Sequence, residues 1–207
     1  MLKQYFQTKL ALGSDVTLVV VGSEPEAVAD ELFTSLWHTI YRFERQFSRF
    51  IPMSELSAFN RSAGVKTPVT AEFRAILLVA KKLGEQTNGL YNPFILPALQ
   101  RAGYTKSFVS EYANDSQDDY SKLTVVSLDC LQIGDDWASI PYGTAIDLGG
   151  CGKGYLADLL ADNEIPEWVK GYWFSIGGDV VGEGESDDAE RCQRAKGDQR
   201  CQPRHRC

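Results

Sequence analysis

The first dense apolar stretch, Asp15 to Val21, is rich in Val and Leu and is closed by Gly22, the composition of a strand. Ser23-Glu24-Pro25-Glu26 follows as a capping-box pattern with Pro in the first turn, so a helix is expected next. Val28, Leu32, Leu36, Ile40, Phe43 and Phe47 recur at steps of four and three, which predicts a long amphipathic helix to about Phe47. Residues 48–69 lose that period and read as polar and turn-rich. A second helix begins after Thr70 with Phe73, Ile76, Leu77, Ala80 and Leu83 on one face, and Asn88-Gly89 stops it. Lys122 to Leu128 reads as a strand, with Leu131 to Ile133 as its short partner. Asp147 to Gly154 is a glycine-rich loop leading into a helix at about Lys153 to Asp162. Tyr172 to Ile176 is the last strand, ended by Gly177-Gly178. Hairpins and helices mix without regular β-α alternation, so the predicted class is α+β, with mixed or antiparallel sheets packed against helices.

Composition changes this picture at one place. Of the 207 residues, the first 184 carry all the Val, Ile, Leu, Phe, Tyr and Trp. Residues 185–207 contain none of these and hold six Lys/Arg against five Asp/Glu, whereas the whole chain has a net charge of −7. Such a segment buries too little apolar area to offset ordering, so a disordered polar tail is expected after a domain at 1–184. The body has no Lys/Arg cluster, so no nucleic-acid footprint is expected. No apolar stretch is long enough for a membrane span. The N-terminus shows neither an apolar h-region nor a small-residue cleavage site, so the expected location is cytoplasmic. Five Cys without a regular framework argue against a disulfide scaffold. Cys192, Cys201 and Cys207, with His205 between, fit no common zinc spacing. His38, inside the long helix, reads as an ordinary surface or half-buried histidine.

The strongest local signal is Asp147-Leu148-Gly149-Gly150-Cys151-Gly152-Lys153-Gly154. Four glycines in six positions let backbone approach a ligand closely. A helix opening there offers free N–H groups to a phosphate, and Lys153 adds a mobile cation. Asp147 can accept hydrogen bonds from a ring or a sugar. The spacing matches neither the Walker A loop nor the dinucleotide fingerprint, and on the loop alone a plain strand-to-helix turn stands equal. In Thr87-Asn88-Gly89-Leu90-Tyr91-Asn92-Pro93, Tyr91 can stack on a flat ring and Asn92 offers a donor and an acceptor. Alone, that segment reads first as a helix stop and an extended Asn-Pro step. Ser48-Arg49-Phe50 to Asn60 reads alone as a capped turn between helices.

Taken in order, the segments resemble the FAD:protein FMN transferases, the ApbE family. ALGSDVTLVVVG resembles the family's opening strand and FERQFSRFIPMSELSAFN its Ser-Glu-Leu segment. TNGLYNPFILPALQRAGY resembles its Thr-x-Gly-x-Phe-Asp-Pro stretch, AIDLGGCGKGYLAD its Asp-Leu-Gly-Gly motif and WFSIGGDVVGEG its Gly-Gly-Asp strand end. The resemblance implies an α+β fold and Mg-dependent transfer of FMN from FAD to a Thr hydroxyl of a target flavoprotein, with release of AMP. It implies FAD contacts from Leu12, Phe50, Leu90, Tyr91, Asn92, Asp147 and Lys153, and a metal ligand near Gly150 or Gly152. Two positions depart from the pattern: Asn92 stands for the usual Asp, and Gly152 for the usual Ala. The family pattern continues after the Gly-Gly-Asp strand with segments carrying further metal ligands, whereas here the polar tail follows. That leads to an expectation of an ApbE-like fold incomplete at its C-terminus, with Tyr172 to Ile176 as an uncovered edge, weak or absent transfer and reduced stability. The alternative is an FAD-binding protein without transferase activity, or an inactive truncated family member.

Overall fold

In the computed structural model, residues 1–104 and 125–185 are described. Two antiparallel strands open the chain, β1 (Lys3–Ala11) and β2 (Ser14–Gly22), and pair in register from Lys3↔Gly22 to Ala11↔Ser14. Two residues join them, Leu12 at φ 55° and Gly13 at φ 69°. Positive φ at both positions is the twist-matched geometry of a tight hairpin. β1 has no counterpart in the sequence reading. It is an edge strand with mostly exposed residues, so its composition carries little apolar signal.

Helix α1 (Glu26–Phe47) opens on Pro25, with no side-chain cap. The expected capping box does not form; the Glu24 carbonyl instead accepts from the Tyr5 hydroxyl (2.7 Å). The buried stripe is Ala29, Phe33, Leu36, Trp37, Ile40, Phe43 and Phe47, with Val28 and Leu32 only half-buried. The apolar face is thus rotated by about one residue from the predicted one in its first half, because Trp37 and Phe33 sit under the sheet. His38 is exposed.

Residues 48–69 are more ordered than their composition suggests. They contain α2 (Glu55–Arg61) and a short strand, β3 (Thr67–Pro68). Helix α3 (Ala71–Gln86) starts where Thr70 Oγ1 accepts from the Phe73 amide (3.1 Å). It buries Phe73, Ile76, Leu77 and Ala80, and ends at Asn88 (φ 52°) and Gly89 (φ 82°), as the sequence predicts. A 3-10 turn over Pro93–Ile95 leads into α4 (Leu96–Arg101).

The expected strand over Lys122 to Leu128 is not formed in its described part. Residues 125–127 are irregular and Leu128–Cys130 is a 3-10 turn, because Ser127 caps the Asp129 amide (3.3 Å); residues 122–124 lie outside the described residues. β4 (Gln132–Ile133) pairs instead with β5 (Trp137–Ser139), which also pairs with β3.

Helix α5 (Gly149–Asn163) starts four residues before the predicted point and runs through the glycines. β6 (Val169–Ile176) pairs with β2, and the positive-φ residues Gly177 and Gly178 turn it into β7 (Asp179–Gly184). The large sheet has the order β1-β2-β6-β7. β6 is therefore an interior strand; the uncovered edge expected at Tyr172 to Ile176 is not there, because β7 pairs along it. β7 has no counterpart in the sequence reading, because four of its six positions are glycine or acidic. Helices α1 and α5 pack on one face of this sheet, with α3 behind them. Their shared core holds Leu18, Phe33, Ile40, Phe73, Ile76, Leu156 and Phe174, each worth roughly 1.5–3 kcal/mol of burial. The tail from Ser186, with Cys192, Cys201, His205 and Cys207, lies outside the described residues.

Candidate functional site

Asp147 is the point on which the chemistry-bearing segments converge. Its amide donates to Pro93 O (2.8 Å), tying the Tyr91-Asn92-Pro93 segment to the start of α5. The preceding residue, Ile146, is gripped by Asn60: Nδ2 donates to its carbonyl and Oδ1 accepts from its amide, both at 2.9 Å. The Asp147 carboxylate accepts from the Gly149 amide (2.8 Å) and from Arg49 Nε (2.8 Å). That pair is buried, with side-chain exposures of 7% for Arg49 and 11% for Asp147.

Arg49 is held by its own segment. Ser54 Oγ donates to Ser48 O (2.7 Å) and accepts from the Ser57 amide (3.0 Å), which fixes the turn carrying Arg49 and Phe50. The guanidinium lies between two rings, 4.2 Å from the Phe50 centroid and 4.5 Å from that of Tyr104. Nη1 donates to Tyr104 O (3.0 Å). Nη2 is buried and has no partner among the described residues.

Two cavities meet at Asp147. One of about 420 Å³ is lined by Leu12, Phe50, Arg49, Asp147, Gly150 and Lys153 among others. The other, of about 770 Å³, is lined by Leu90, Tyr91, Asn92, Val126, Asp147 and Gly150 among others. Leu99, Asp147 and Gly150 belong to both walls. Every residue that the family resemblance implied as an FAD contact therefore lines one of these cavities, Leu12, Phe50 and Lys153 the smaller, Leu90, Tyr91 and Asn92 the larger, and Asp147 both.

Individual geometries refine what each can do. Leu12 sits in the β1–β2 turn, and its amide donates to Glu44 Oε1 (2.9 Å), so α1 holds the strained turn in place. Leu90 is exposed. Tyr91 donates its hydroxyl to Cys151 Sγ (3.1 Å). Burial, then the neighbouring Cys151, push its pKa above the ordinary phenol range; burial also raises that of the Cys151 thiol, so both stay protonated near neutrality. Asn92 caps the 3-10 turn through Oδ1, which accepts from the Phe94 amide (3.0 Å), and its Nδ2 donates to Val126 O (2.9 Å). A carboxylate in its place could cap but could not donate to Val126, which gives this chain's Asn a structural use.

Lys153, in the second turn of α5, forms no ion pair among the described residues. A Cβ at Gly177 would stand 2.5 Å from Lys153 Nζ and 2.6 Å from Ser14 Oγ, so the β6–β7 turn is shaped around that amine. Gly150 explains itself the same way, since a Cβ there would lie 2.9 Å from Tyr91 Cε2. Its carbonyl, inside a helical turn, is directed along the axis of α5.

Magnesium needs a near-octahedral shell of oxygens. The described residues contain no group of three or more His, Cys, Asp or Glu able to hold a metal, and Asp147 is already bonded to Arg49 and Gly149. The described side chains alone form no complete site for that ion.

Arg49, Asn60 and Tyr104 hold the site, yet no periodicity marks them; Asn60 acts across 86 positions of sequence, beyond any local signal. Ser54 caps that segment locally, as the sequence suggests, whereas Asn60 bonds the distant Ile146 rather than local backbone.

Comparison with known proteins agrees with this fold. Among solved structures, the flavin transferase ApbE from Vibrio cholerae matches with a TM-score of 0.77 at 21% identity, over 90% of this chain and 61% of that one. The Pseudomonas stutzeri flavinyl transferase ApbE in its apo form matches with a TM-score of 0.75 at 21% identity, over 89% and 59%. The ApbE protein of Thermotoga maritima gives 0.68 at 22% identity, over 89% and 60%. At these identities the likeness establishes the α+β fold, and the chain spans about three-fifths of the solved relatives' length. Among curated proteins none matches the chain. No helix of the described residues is long and apolar enough to cross a membrane. The ApbE family model matches residues 12–194, and the chain belongs to the ApbE family.

Proposed function

We propose that the paired cavities bind FAD and serve transfer of its FMN part to a Thr hydroxyl of a target flavoprotein. The observation that carries this reading is the convergence on Asp147, which joins an aromatic, charge-neutralised cavity to a second cavity across one shared wall. A ligand with two flat ring systems joined by a charged bridge suits that division, and cavities of these sizes suit small-molecule binding. Leu12 and Phe50 would contact one ring system, and Leu90, Tyr91 and Asn92 the wall beyond Asp147. Lys153 is the cation for the phosphate bridge.

In the transfer, the acceptor Thr oxygen forms a bond to the FMN phosphorus. The pyrophosphate bond to the adenylate breaks, its electron pair leaves with AMP, and the hydroxyl proton is released. Binding and orientation are what this chain's residues supply: Lys153 offsets charge on the bridge, and the buried Arg49–Asp147 pair fixes the cavity wall. The family resemblance implies Mg²⁺ as well, for which the described side chains alone form no complete site.

A titration of the purified chain with FAD, with and without Mg²⁺ and in the presence of a Thr-bearing acceptor flavoprotein, followed by flavin fluorescence and AMP release, tests this. Saturable binding with AMP appearing supports transfer. Saturable binding without AMP release overturns transfer and leaves a flavin-holding protein. Absence of binding overturns both.

A further inference from the structure

Arg49 presents a donor that nothing described satisfies. Three of its features are explained inside the chain: Nε bonds Asp147, Nη1 bonds Tyr104 O, and the flat faces rest on Phe50 and Tyr104. Nη2 alone has no partner among the described residues and is closed to water. Buried donors in folded proteins are paired, and leaving one unpaired costs stability. Within a guanidinium, Nη2 shares its fork edge with Nε, so it faces the same way as the bond to Asp147. An acceptor seated beside the Asp147 carboxylate would complete that fork, at the junction of the two cavities.

The charge of the neighbourhood selects the acceptor. Asp147 already neutralises Arg49, and its carboxylate would repel a second anion placed next to it. A neutral carbonyl suffers no such penalty. The carboxylate also keeps lone pairs beyond those taken by Arg49 and Gly149, so it can accept from an N–H adjacent to that carbonyl. Lys153, which has no ion pair among the described residues, is left to meet phosphate.

We propose that Arg49 is a specificity-determining binding residue: its Nη2 donates to a ring carbonyl of the flavin, beside an N–H taken by Asp147. This rests on the flavin reading above.

The test compares FAD with riboflavin, which keeps the ring and lacks every phosphate, on the wild-type chain and on Arg49→Lys. Lysine keeps the charge beside Asp147 but loses the fork. Loss of roughly tenfold in affinity is expected for both ligands alike, the size of one hydrogen bond from a charged donor. A loss for FAD without a loss for riboflavin would place the contact on phosphate and overturn the proposal, as would no loss for either. Should Arg49→Lys fail to fold, 2-thioriboflavin and 4-thioriboflavin on the wild-type chain decide. Weaker binding of one thio-analogue than of riboflavin supports the contact, and equal binding of all three overturns it. If the wild-type chain binds neither FAD nor riboflavin, the flavin reading itself fails, an outcome distinct from flavin binding that is indifferent to Arg49.

Discussion

The two cavities that share Asp147 are built from similar residue types but differ in how their polar groups are spent. On the Tyr91 side, the side-chain partners are internal: Tyr91 bonds Cys151, and Asn92 bonds Phe94 and Val126. On the Arg49 side, one donor and one amine have no partner among the described residues, Arg49 Nη2 and Lys153 Nζ. The first wall is a scaffold whose hydrogen bonds hold it rigid; the second keeps donors in reserve. Residues with internal partners act on stability first, and residues with open donors act on ligand first.

The largest test of that division falls on the hinge between the two sides. Asp147→Ala removes the only carboxylate paired with Arg49 among the described residues and the acceptor for the Gly149 amide. It leaves a buried unpaired charge, so a loss of about 3–5 kcal/mol is expected in urea denaturation. A double variant that also changes Arg49→Met should be less destabilised than Asp147→Ala alone, because the stranded charge is gone. A double variant worse than the single would mean that Arg49 packs more than it pairs.

Asn60→Ala comes next. It unpairs the amide and carbonyl of Ile146 and should cost about 1–3 kcal/mol. Because Ile146 positions Asp147, FAD affinity should fall together with stability. Stability lost with affinity untouched would separate the scaffold from the site and break the comparison.

What the sequence made legible follows the range of the forces involved. Helices α1 and α3 announce themselves through apolar spacing, and the stop of α3 through Asn88-Gly89, because those signals are local. The start of α5 does not, since four glycines in its first two turns have poor helix propensity. Tertiary contacts decide there: Asp147 takes the Gly149 amide, and Tyr91 fills the space that a side chain at Gly150 would need. β1 and β7 went unread because edge strands carry few apolar residues and gain their order from pairing with β2 and β6. The candidate residues were legible only as a set of motifs in order. The long-range bonds that align them, Asn60 to Ile146 and Arg49 to Asp147, have no signature in spacing.

A smaller effect sharpens the scaffold side. Asn92→Asp keeps the cap on Phe94 but loses the N–H to Val126 O and adds a carboxylate to a cavity already lined by Asp147. A cost of about 1 kcal/mol is expected from the lost bond, read as a shift of the denaturation midpoint at unchanged slope. If Asn92→Asp is instead neutral in stability but alters FAD affinity, Asn92 belongs with the ligand-facing donors.

The smallest effect has the opposite sign. Gly152 lies inside α5, where a Cβ would meet Phe43 Cζ at 3.7 Å, ordinary contact. Gly152→Ala should therefore stabilise the chain by about 0.5–1 kcal/mol, since Ala loses less backbone freedom than Gly on entering a helix. The same change two residues earlier, Gly150→Ala, should destabilise. Its Cβ would stand 2.9 Å from a Tyr91 ring that is tethered at its hydroxyl to Cys151 and at its amide to Thr87 Oγ1 (3.0 Å). Thermal melts of the two variants side by side separate the explanations. Opposite signs mean that contact with Tyr91 keeps position 150 free of a side chain, whereas two gains would mean that the Tyr91 wall moves and is no rigid scaffold.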